Sequence, residues 1–268
     1  MIGRLQRLIP SMQPTFVSMP ESSQLSSERK ALARWENEGG AREDVDTVLP
    51  GPVLDLAKRL GVEAATSAKR VTLTQSGDMR LGKGTRRSRF NARQTINVSD
   101  LGFQWRASFA PFGAISVSEA YKKGEGSLDV RLFNLISLAH MTGPALAKGE
   151  IMRYLAEVAL APDAILLNNM LIWSVINDRT LSIAAGSGAG HGCVRIDLDD
   201  DGRIGAIFAP NRPFADGKIV EERPWSGRFF DYRLHAGRWL PFGAEVGWMV
   251  SGQVVNYWRG TMMGWAVA

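Results

Sequence analysis

Three charged residues share one side of a predicted helix in the middle of the chain. In the segment GEIMRYLAEVALAP, Glu150, Arg153 and Glu157 are spaced i, i+3 and i+7, which places them on one stripe beside Tyr154. A carboxylate pair held by an arginine over a cavity could bind the polar end of a ligand or move a proton. The same spacing also fits an ion-pair ladder on a solvent-exposed surface, and composition alone favours that second interpretation.

Aromatic residues on the predicted strands form a second candidate site. Four of the eight tryptophans lie inside predicted strands and have tyrosines nearby. On the concave face of a curved sheet such side chains usually form the core, but where a helix does not fill the sheet they line an apolar pocket. The candidate ligand-binding residues are Trp105, Tyr121, Arg153, Tyr154, Trp173, Trp248, Tyr257 and Trp258.

The acidic segment VRIDLDDDGRIGAIF has the outline of a calcium-binding loop. Asp197, Asp199, Asp201 and Gly202 match the first half of the EF-hand pattern, but Phe208 stands where a bidentate glutamate is needed. Apolar residues alternate on both sides of DDDG, whereas an EF-hand loop lies between helices. The segment therefore predicts a β-hairpin rather than a calcium site.

Other familiar binding motifs are incomplete. GDMRLGKG places Gly84 where a phosphate-binding loop needs Ser or Thr, and it leads into a strand pattern instead of a helix. GSGAGHG also lacks the following helix and predicts a hairpin loop. His140, His191 and His235 are scattered, and Cys193 is the single cysteine. We therefore expect no metal and no cofactor.

The net charge of +5 is unevenly distributed along the chain. From Lys58 to Arg93 there are ten Lys and Arg residues against two acids. The basic segment Lys69–Arg93 could contact an anionic membrane surface, although a solvated strand face with its hairpin loop also explains it. Nucleic acid is not an expected partner, because aromatic residues for base stacking are not interleaved there beyond Phe90.

Length and composition indicate an ordinary globular protein. The chain has 268 residues, of which 45% are hydrophobic and 22% charged. No segment approaches the ~18 consecutive apolar residues of a transmembrane helix, and the N-terminus lacks the apolar core of a secretory signal. The default expectation is a cytoplasmic protein, with association to a membrane as the alternative. The oligomeric state stays open.

The N-terminal part predicts helices after an irregular arm. Residues 1–27 are rich in Ser, Pro, Met and Gln without periodicity, which indicates poor order. Residues 28–268 are predicted to form one domain with a helical lead-in over residues 28–62. Its first helix is capped by Ser27, and its second runs from Pro52 to Gly61.

After the lead-in, the hydrophobic period changes to two. In FQWRASF, alternate residues from Phe103 to Phe109 are apolar, and short Gly-containing turns separate several runs of this kind. Residues 70–268 are therefore predicted to form about ten to twelve antiparallel strands, interrupted by one helix over residues 149–160. The predicted class is α+β, with one strongly curved, half-barrel-like sheet around that central helix.

An ordered series of short motifs resembles a known family. From Leu49 to Trp265, segments such as GEIMRYLAE, APDAIL, LPFGAEVGW and NYWRG are similar to a bacterial family of uncharacterised proteins with GE-x-x-RYLAE, EVAW and YW motifs. The layout also resembles the half-barrel of lipoprotein carriers, a likeness of fold alone. The resemblance implies a shared purpose for Glu150, Arg153, Tyr154, Glu157, Glu245, Trp248, Tyr257 and Trp258.

Three functions fit these observations. The first is a non-catalytic binding protein for an apolar or amphipathic, lipid-like ligand, with Arg153 facing a negative head group. The second is a hydrolase or isomerase that uses Glu150 or Glu157 as a base and Arg153 to stabilise an oxyanion. This second hypothesis predicts that at least one of the two carboxylates is buried and has a raised pKa. The third is a structural or assembly module without a ligand.

Overall fold

One antiparallel sheet forms the frame of the protein. In the computed structural model, which describes residues 49–81, 86–109, 113–216 and 219–268, thirteen strands pair into a curved half-barrel. The predicted α+β class with one curved antiparallel sheet is confirmed, and the strand number is slightly above the ten to twelve expected. The predicted N-terminal arm and the helix predicted to follow Ser27 lie outside the described residues.

The strands follow the chain in an almost unbroken meander. They are β1 (Arg70–Arg80), β2 (Arg87–Asn97), β3 (Gly102–Phe109), β4 (Ile115–Lys122), β5 (Glu125–Leu132), β6 (Ile136–Thr142), β7 (Ile172–Asn177), β8 (Thr180–Ala185), β9 (Gly192–Leu198), β10 (Ile204–Asp216), β11 (Ile219–His235), β12 (Arg238–Val250) and β13 (Gln253–Val267). Their order in the sheet is β6-β5-β4-β3-β2-β1-β13-β12-β11-β10-β9-β8-β7. The antiparallel pairing of β1 with β13 joins the two halves of the sheet.

Three helices accompany the sheet in the described residues. They are α1 (Gly51–Arg59), α2 (Pro144–Ala156) and α3 (Ala164–Leu167), and a 3-10 turn (Glu157–Leu160) continues α2. The predicted second lead-in helix is confirmed as α1. The predicted central helix is confirmed as α2 with its 3-10 turn, but it begins at Pro144 and not near residue 149. Proline suits the first turn of a helix, where its missing N–H costs nothing.

The helix α2 packs on the concave face of the sheet. Along β3 the alternate residues from Phe103 to Phe109 are all buried, as their period of two predicts. The α2 side chains Ile151 and Leu155 are fully buried in the same core. Because the sheet curves around α2, the polar residues of this helix also enter the interior.

Two glycines allow α2 to approach the sheet closely. A Cβ atom on Gly126 of β5 would lie 2.8 Å from the backbone nitrogen of Ala147 in α2. On the other side of the helix, a Cβ atom on Gly192 of β9 would lie 2.7 Å from the side chain of Ile151. The absence of side chains at these positions fixes the distance between the helix and both halves of the sheet.

The acidic segment before β10 forms the predicted hairpin. β9 and β10 pair antiparallel, and Gly202 has the positive φ of +73° that the turn requires. The turn carboxylates contact an arginine of the turn itself: Asp199 Oδ1 accepts from the backbone N–H of Arg203, and Asp201 forms an ion pair with the Arg203 guanidinium. The aspartates therefore stabilise a turn.

A buried carboxylate connects the segment after α2 to the α1 end of the sheet. Asp163 has a fully buried side chain and accepts hydrogen bonds from Arg238 Nη2 at 2.8 Å and from Thr66 Oγ1 at 2.6 Å. Burial alone would raise the pKa of Asp163, but the hydrogen bonds from Arg238 and Thr66 outweigh it and lower that pKa.

We expect Asp163→Asn to lower the free energy of unfolding by about 1–3 kcal/mol, because an amide replaces a charge-assisted acceptor. The wild-type advantage should shrink as acid protonates Asp163, since its folded-state pKa lies below the unfolded one. Urea denaturation at several pH values measures both effects. Asp55→Asn, at an exposed position of α1, is the control. Equal losses in the two variants would contradict the expectation.

Candidate functional site

The central arginine of α2 lies between two carboxylates at the contact between this helix and the sheet. Arg153 Nε donates to Glu157 Oε1 at 2.8 Å, and its Nη1 forms an ion pair with Glu119 of β4. The other oxygen of Glu157 accepts from Gln94 Nε2 on β2. The exposed fractions of the Arg153, Glu119 and Glu157 side chains are 15%, 14% and 15%. This group is hereafter the charge cluster.

Aromatic rings cover the guanidinium of the charge cluster. The Arg153 Cζ atom lies 4.9 Å from the ring centroid of Phe103 and 5.2 Å from that of Trp105. The Trp105 indole N–H donates to Gln75 Oε1 at 2.9 Å. The interpretation of the α2 stripe as an exposed ion-pair ladder is therefore wrong. The stripe is not exposed because the curved sheet encloses this side of the helix.

One turn earlier on α2, Glu150 is a buried acid with an unsatisfied oxygen. Its exposed fraction is 3%, and its Oε2 atom has no hydrogen-bond partner among the described residues. Burial, together with the nearby negative charge of Glu119, raises the pKa of Glu150 to about 8, although Arg153 and Arg212 act in the opposite direction. The carboxyl group is therefore mostly protonated at neutral pH.

The catalytic hypothesis meets one of its two structural requirements. Glu150 is buried and its pKa is raised, as that hypothesis predicts. Oxyanion stabilisation, however, requires a guanidinium with free donors aimed at the substrate. Arg153 is bound by Glu119 and Glu157 on two sides, which leaves this role without support from the geometry.

A second arginine enters the interior from β10 and contacts the same helix. Arg212 has an exposed fraction of 9%, and its Nε donates to the backbone carbonyl of Gly149 at 3.2 Å. Its Cζ atom lies 4.6 Å from the ring centroid of Trp225 and 5.5 Å from that of Trp248. Within the described residues, no carboxylate oxygen lies within 4 Å of its guanidinium nitrogens.

The two rings next to Arg212, Trp225 and Trp248, belong to a continuous set of four aromatic residues, hereafter the aromatic wall: Phe214, Trp225, Trp248 and Tyr257. The Phe214 and Trp248 rings meet edge to face at 5.0 Å, Trp248 stacks on Tyr257 at 6.1 Å, and the Trp225 indole N–H donates to the Tyr257 hydroxyl at 3.2 Å. Phe214 and Trp225 are buried, whereas Trp248 and Tyr257 are half-buried. The wall is therefore partly open to solvent.

The predicted ligand-binding residues divide into two groups. Trp105, Tyr121, Tyr154 and Trp173 are buried in the core. The Tyr154 hydroxyl accepts from Asn168 Nδ2 at 2.8 Å and faces two backbone carbonyls, an arrangement typical of a satisfied core tyrosine. The others outside α2, namely Trp248, Tyr257 and Trp258, are half-buried. Trp258 stacks on Phe90 at 5.8 Å.

Several participants in these contacts were not singled out from the sequence as site residues, among them Phe214 and Trp225 of the aromatic wall and three polar residues. On β4, Glu119 and Tyr121 are two residues apart and therefore point to the same face of the sheet. Because Tyr121 is buried, Glu119 also points inward. Gln94 lies among the inward-facing residues of β2. Arg212 carries no signal in its own segment, because NRPF has no alternating pattern and includes a proline.

Glu245 of the family motif lies on the other face of the sheet. Its neighbour Ala244 pairs with Phe229, while Glu245 itself lies opposite Arg228 on β11 and Arg259 on β13. Its Oε2 atom accepts from Arg259 Nη2 at 2.7 Å. This cross-strand pair stabilises the sheet away from the aromatic wall.

Two clefts lie at other places on the described surface. One, of about 740 Å³, lies beside Asp78, Arg89 and Phe109, and the other, of about 730 Å³, lies beside Lys122 and Pro144. None of the predicted ligand-binding residues lines them. The first cleft adjoins the exposed basic side chains of β2, and contact of the basic segment with a membrane stays a prediction.

The fold and the site define a half-barrel protein whose concave face holds a central helix, a charge cluster and an aromatic wall. The chain belongs to the family of unknown function DUF6544, whose model matches residues 41–260. The family resemblance expected from the motifs is thereby confirmed. No curated protein sequence matches this chain significantly. Among the described residues, no helix is long and apolar enough to cross a membrane.

Three solved structures are similar to this chain. A LolA superfamily protein, NE2245, from Nitrosomonas europaea has 9% identity and a TM-score of 0.45, with 83% of this chain and 94% of that chain covered. A putative outer membrane lipoprotein-sorting protein domain from Vibrio parahaemolyticus has 11% identity and a TM-score of 0.45, with 80% and 90% covered. A DUF1329 family protein from Desulfovibrio piger has 11% identity and a TM-score of 0.45, with 80% and 91% covered.

Proposed function

We propose that the protein binds an amphipathic small molecule on the concave face of its half-barrel and does not convert it chemically. The observation that carries this proposal is the half-buried part of the aromatic wall beside a buried arginine. Trp248 and Tyr257 stack on each other on the concave face of the sheet, and both are only half-buried. Concave aromatic surface with a few polar groups is typical of small-molecule sites.

The energetics favour an apolar chain over a polar ligand at this wall. Each 100 Å² of apolar surface removed from water contributes about 2.5 kcal/mol, and an aromatic side chain offers a large part of such an area. Trp258 and Phe90 extend the apolar surface along the neighbouring strands. A flexible alkyl chain can follow rings that lie on several strands, because it needs no fixed hydrogen-bond geometry.

The proposed site involves only part of the predicted ligand-binding set. In this proposal the half-buried Trp248, Tyr257 and Trp258 touch the ligand, whereas the buried Trp105 and Tyr121 belong to the core. Arg153 lies in the charge cluster and is compensated by its two carboxylates. Its contribution to the site is the position of α2 against the sheet.

Quenching of tryptophan fluorescence by 12-bromododecanoic acid tests the proposal. Bromine quenches an indole only at contact, so we expect saturable, partial quenching in the wild type and loss of a large part of it in Trp248→Phe. Trp239→Phe is the matched control, because Trp239 lies on the same strand and is 37% exposed but pairs with Leu234 near the far end of β12. This control should quench like the wild type.

Two results would contradict the proposed function. One is quenching that rises linearly with the acid and never saturates, which indicates collision without binding. The other is saturable quenching that survives Trp248→Phe and disappears in Trp239→Phe, which places the ligand on another surface. Native mass spectrometry of the purified protein, before and after solvent extraction, then shows whether a molecule is retained from the cell and gives its mass.

A further inference from the structure

We infer that Arg212 binds the anionic head group of the ligand, a carboxylate or a phosphate, while the aromatic wall holds its apolar chain. This inference rests on the proposed function and specifies the ligand as an anionic amphiphile. It is carried by the burial of Arg212, by the contacts that hold its guanidinium and by the absence of an ion pair within 4 Å among the described residues.

The guanidinium of Arg212 is held in place by groups that leave donors unused. Its Cζ atom lies 4.6 Å from the ring centroid of Trp225, and its Nε donates to the carbonyl of Gly149. Within the described residues its two terminal nitrogens have no hydrogen-bond partner. A planar group fixed in this way presents two parallel N–H donors, the geometry that matches a carboxylate or a phosphate.

Two other arginines in the described interior have a carboxylate partner. Arg153 contacts Glu119 and Glu157, and Arg238 contacts Asp163. Arg212 has an exposed fraction of only 9%, yet within the described residues no carboxylate lies within 4 Å of its guanidinium. A buried charge without a partner is costly, and an anion supplied by a ligand removes that cost.

The interior acid Glu150 interacts with Arg212 but forms no ion pair with it within 4 Å. Glu150 follows Gly149 on α2, and Arg212 lowers its pKa, which shows that the two groups interact. Burial nevertheless raises the pKa of Glu150 to about 8, so this carboxyl group is mostly neutral at pH 7. Its unsatisfied Oε2 is a further polar atom beside the proposed head-group site, and as a neutral acid Glu150 can donate to an anion.

A displacement experiment tests the head-group preference. The neutral fluorescent probe N-phenyl-1-naphthylamine reports occupancy of the apolar site and is displaced by compounds with one twelve-carbon chain. These are dodecanoate and dodecyl phosphate (anionic), dodecyl maltoside (neutral) and dodecylamine (cationic), all below their critical micelle concentrations. In the wild type we expect the two anions to displace the probe at concentrations about 10- to 100-fold lower than the neutral and cationic compounds, the effect of one charge-assisted pair.

Variants then assign this preference to one side chain. Arg212→Gln should weaken displacement by the two anions about 10- to 100-fold and leave displacement by dodecyl maltoside within about twofold. Arg212→Lys should keep a part of the preference, because it retains the charge without the planar fork. Arg228→Gln is the matched control: this arginine lies on the adjacent strand β11, is 69% exposed and pairs with Glu245. It should behave like the wild type.

The outcomes separate the inference from the function on which it rests. If the wild type binds the probe but all four compounds displace it equally, or if Arg212→Gln keeps the anion preference, the inference is wrong and the proposed function stands. If the wild type does not bind the probe and no twelve-carbon compound binds, the proposed function fails. Inorganic phosphate alone should not displace the probe; displacement at the concentrations effective for dodecyl phosphate would mean that the site takes a free anion and not an amphiphile.

Discussion

Arg153→Met is expected to lower the free energy of unfolding by about 3 kcal/mol, the lower end of the range for removing one member of a buried ion pair, because the side chains of the charge cluster are largely but not fully buried. The substitution keeps the aliphatic part of the side chain and removes the guanidinium that lies over the rings of Phe103 and Trp105. It leaves the half-buried Glu119 and Glu157 without a cation between them. Urea denaturation at pH 7 measures the loss, with circular dichroism to establish that the variant folds.

The cause of that loss can be separated from a packing defect. If the uncompensated carboxylates are responsible, Glu119→Gln added to Arg153→Met should restore part of the stability, because one buried charge disappears. Arg179→Met is the surface control, since the pair of Arg179 with Asp200 is 61% and 96% exposed and should contribute at most about 1 kcal/mol. A loss in Arg153→Met no greater than in Arg179→Met would show that the charge cluster does not hold α2 against the sheet.

Local pattern is sufficient to predict most elements of this fold. The alternation from Phe103 to Phe109 predicts both the strand β3 and its buried face, and the acidic turn before Ile204 predicts the β9–β10 hairpin. These features depend on residues that are neighbours in the sequence. The sequence pattern does not predict strand β6. Its segment ISLAHMT lies at an edge of the sheet, where the side chains are exposed or half-buried, so apolar and polar residues need not alternate.

The site depends on contacts between distant parts of the chain. Arg153 and Glu119 are 34 residues apart, and Arg212 and Gly149 are 63 residues apart. Spacing along α2 shows that Glu150, Arg153 and Glu157 share a stripe, but it does not show whether that stripe faces water or the sheet. Only the curvature of the sheet and the inward phase of β4 decide this, and neither is encoded in a single segment.

The burial of Glu150 predicts an unusual dependence of the protein's stability on pH. In the folded protein the pKa of Glu150 is about 8, against an ordinary value of 4.5. Between these two values the folded state keeps a proton that the unfolded chain has lost, so raising the pH favours unfolding. Since one pKa unit corresponds to about 1.4 kcal/mol, the destabilisation accumulated from pH 4.5 to pH 8 is on the order of 5 kcal/mol for this group alone.

Glu150→Gln should remove this dependence, because the amide has the shape of the protonated acid and does not ionise. We expect the variant to match the wild type near pH 5 and to become increasingly more stable as the pH rises to 8, by up to a few kcal/mol. Urea denaturation at half-unit pH steps measures the difference, and Glu125→Gln, at an exposed position on β5, is the control. A constant difference between Glu150→Gln and the wild type across this range would mean that Glu150 is ionised in the folded protein. Arg212 would then already have its anion within the chain, and the head-group site would have no vacancy for a ligand.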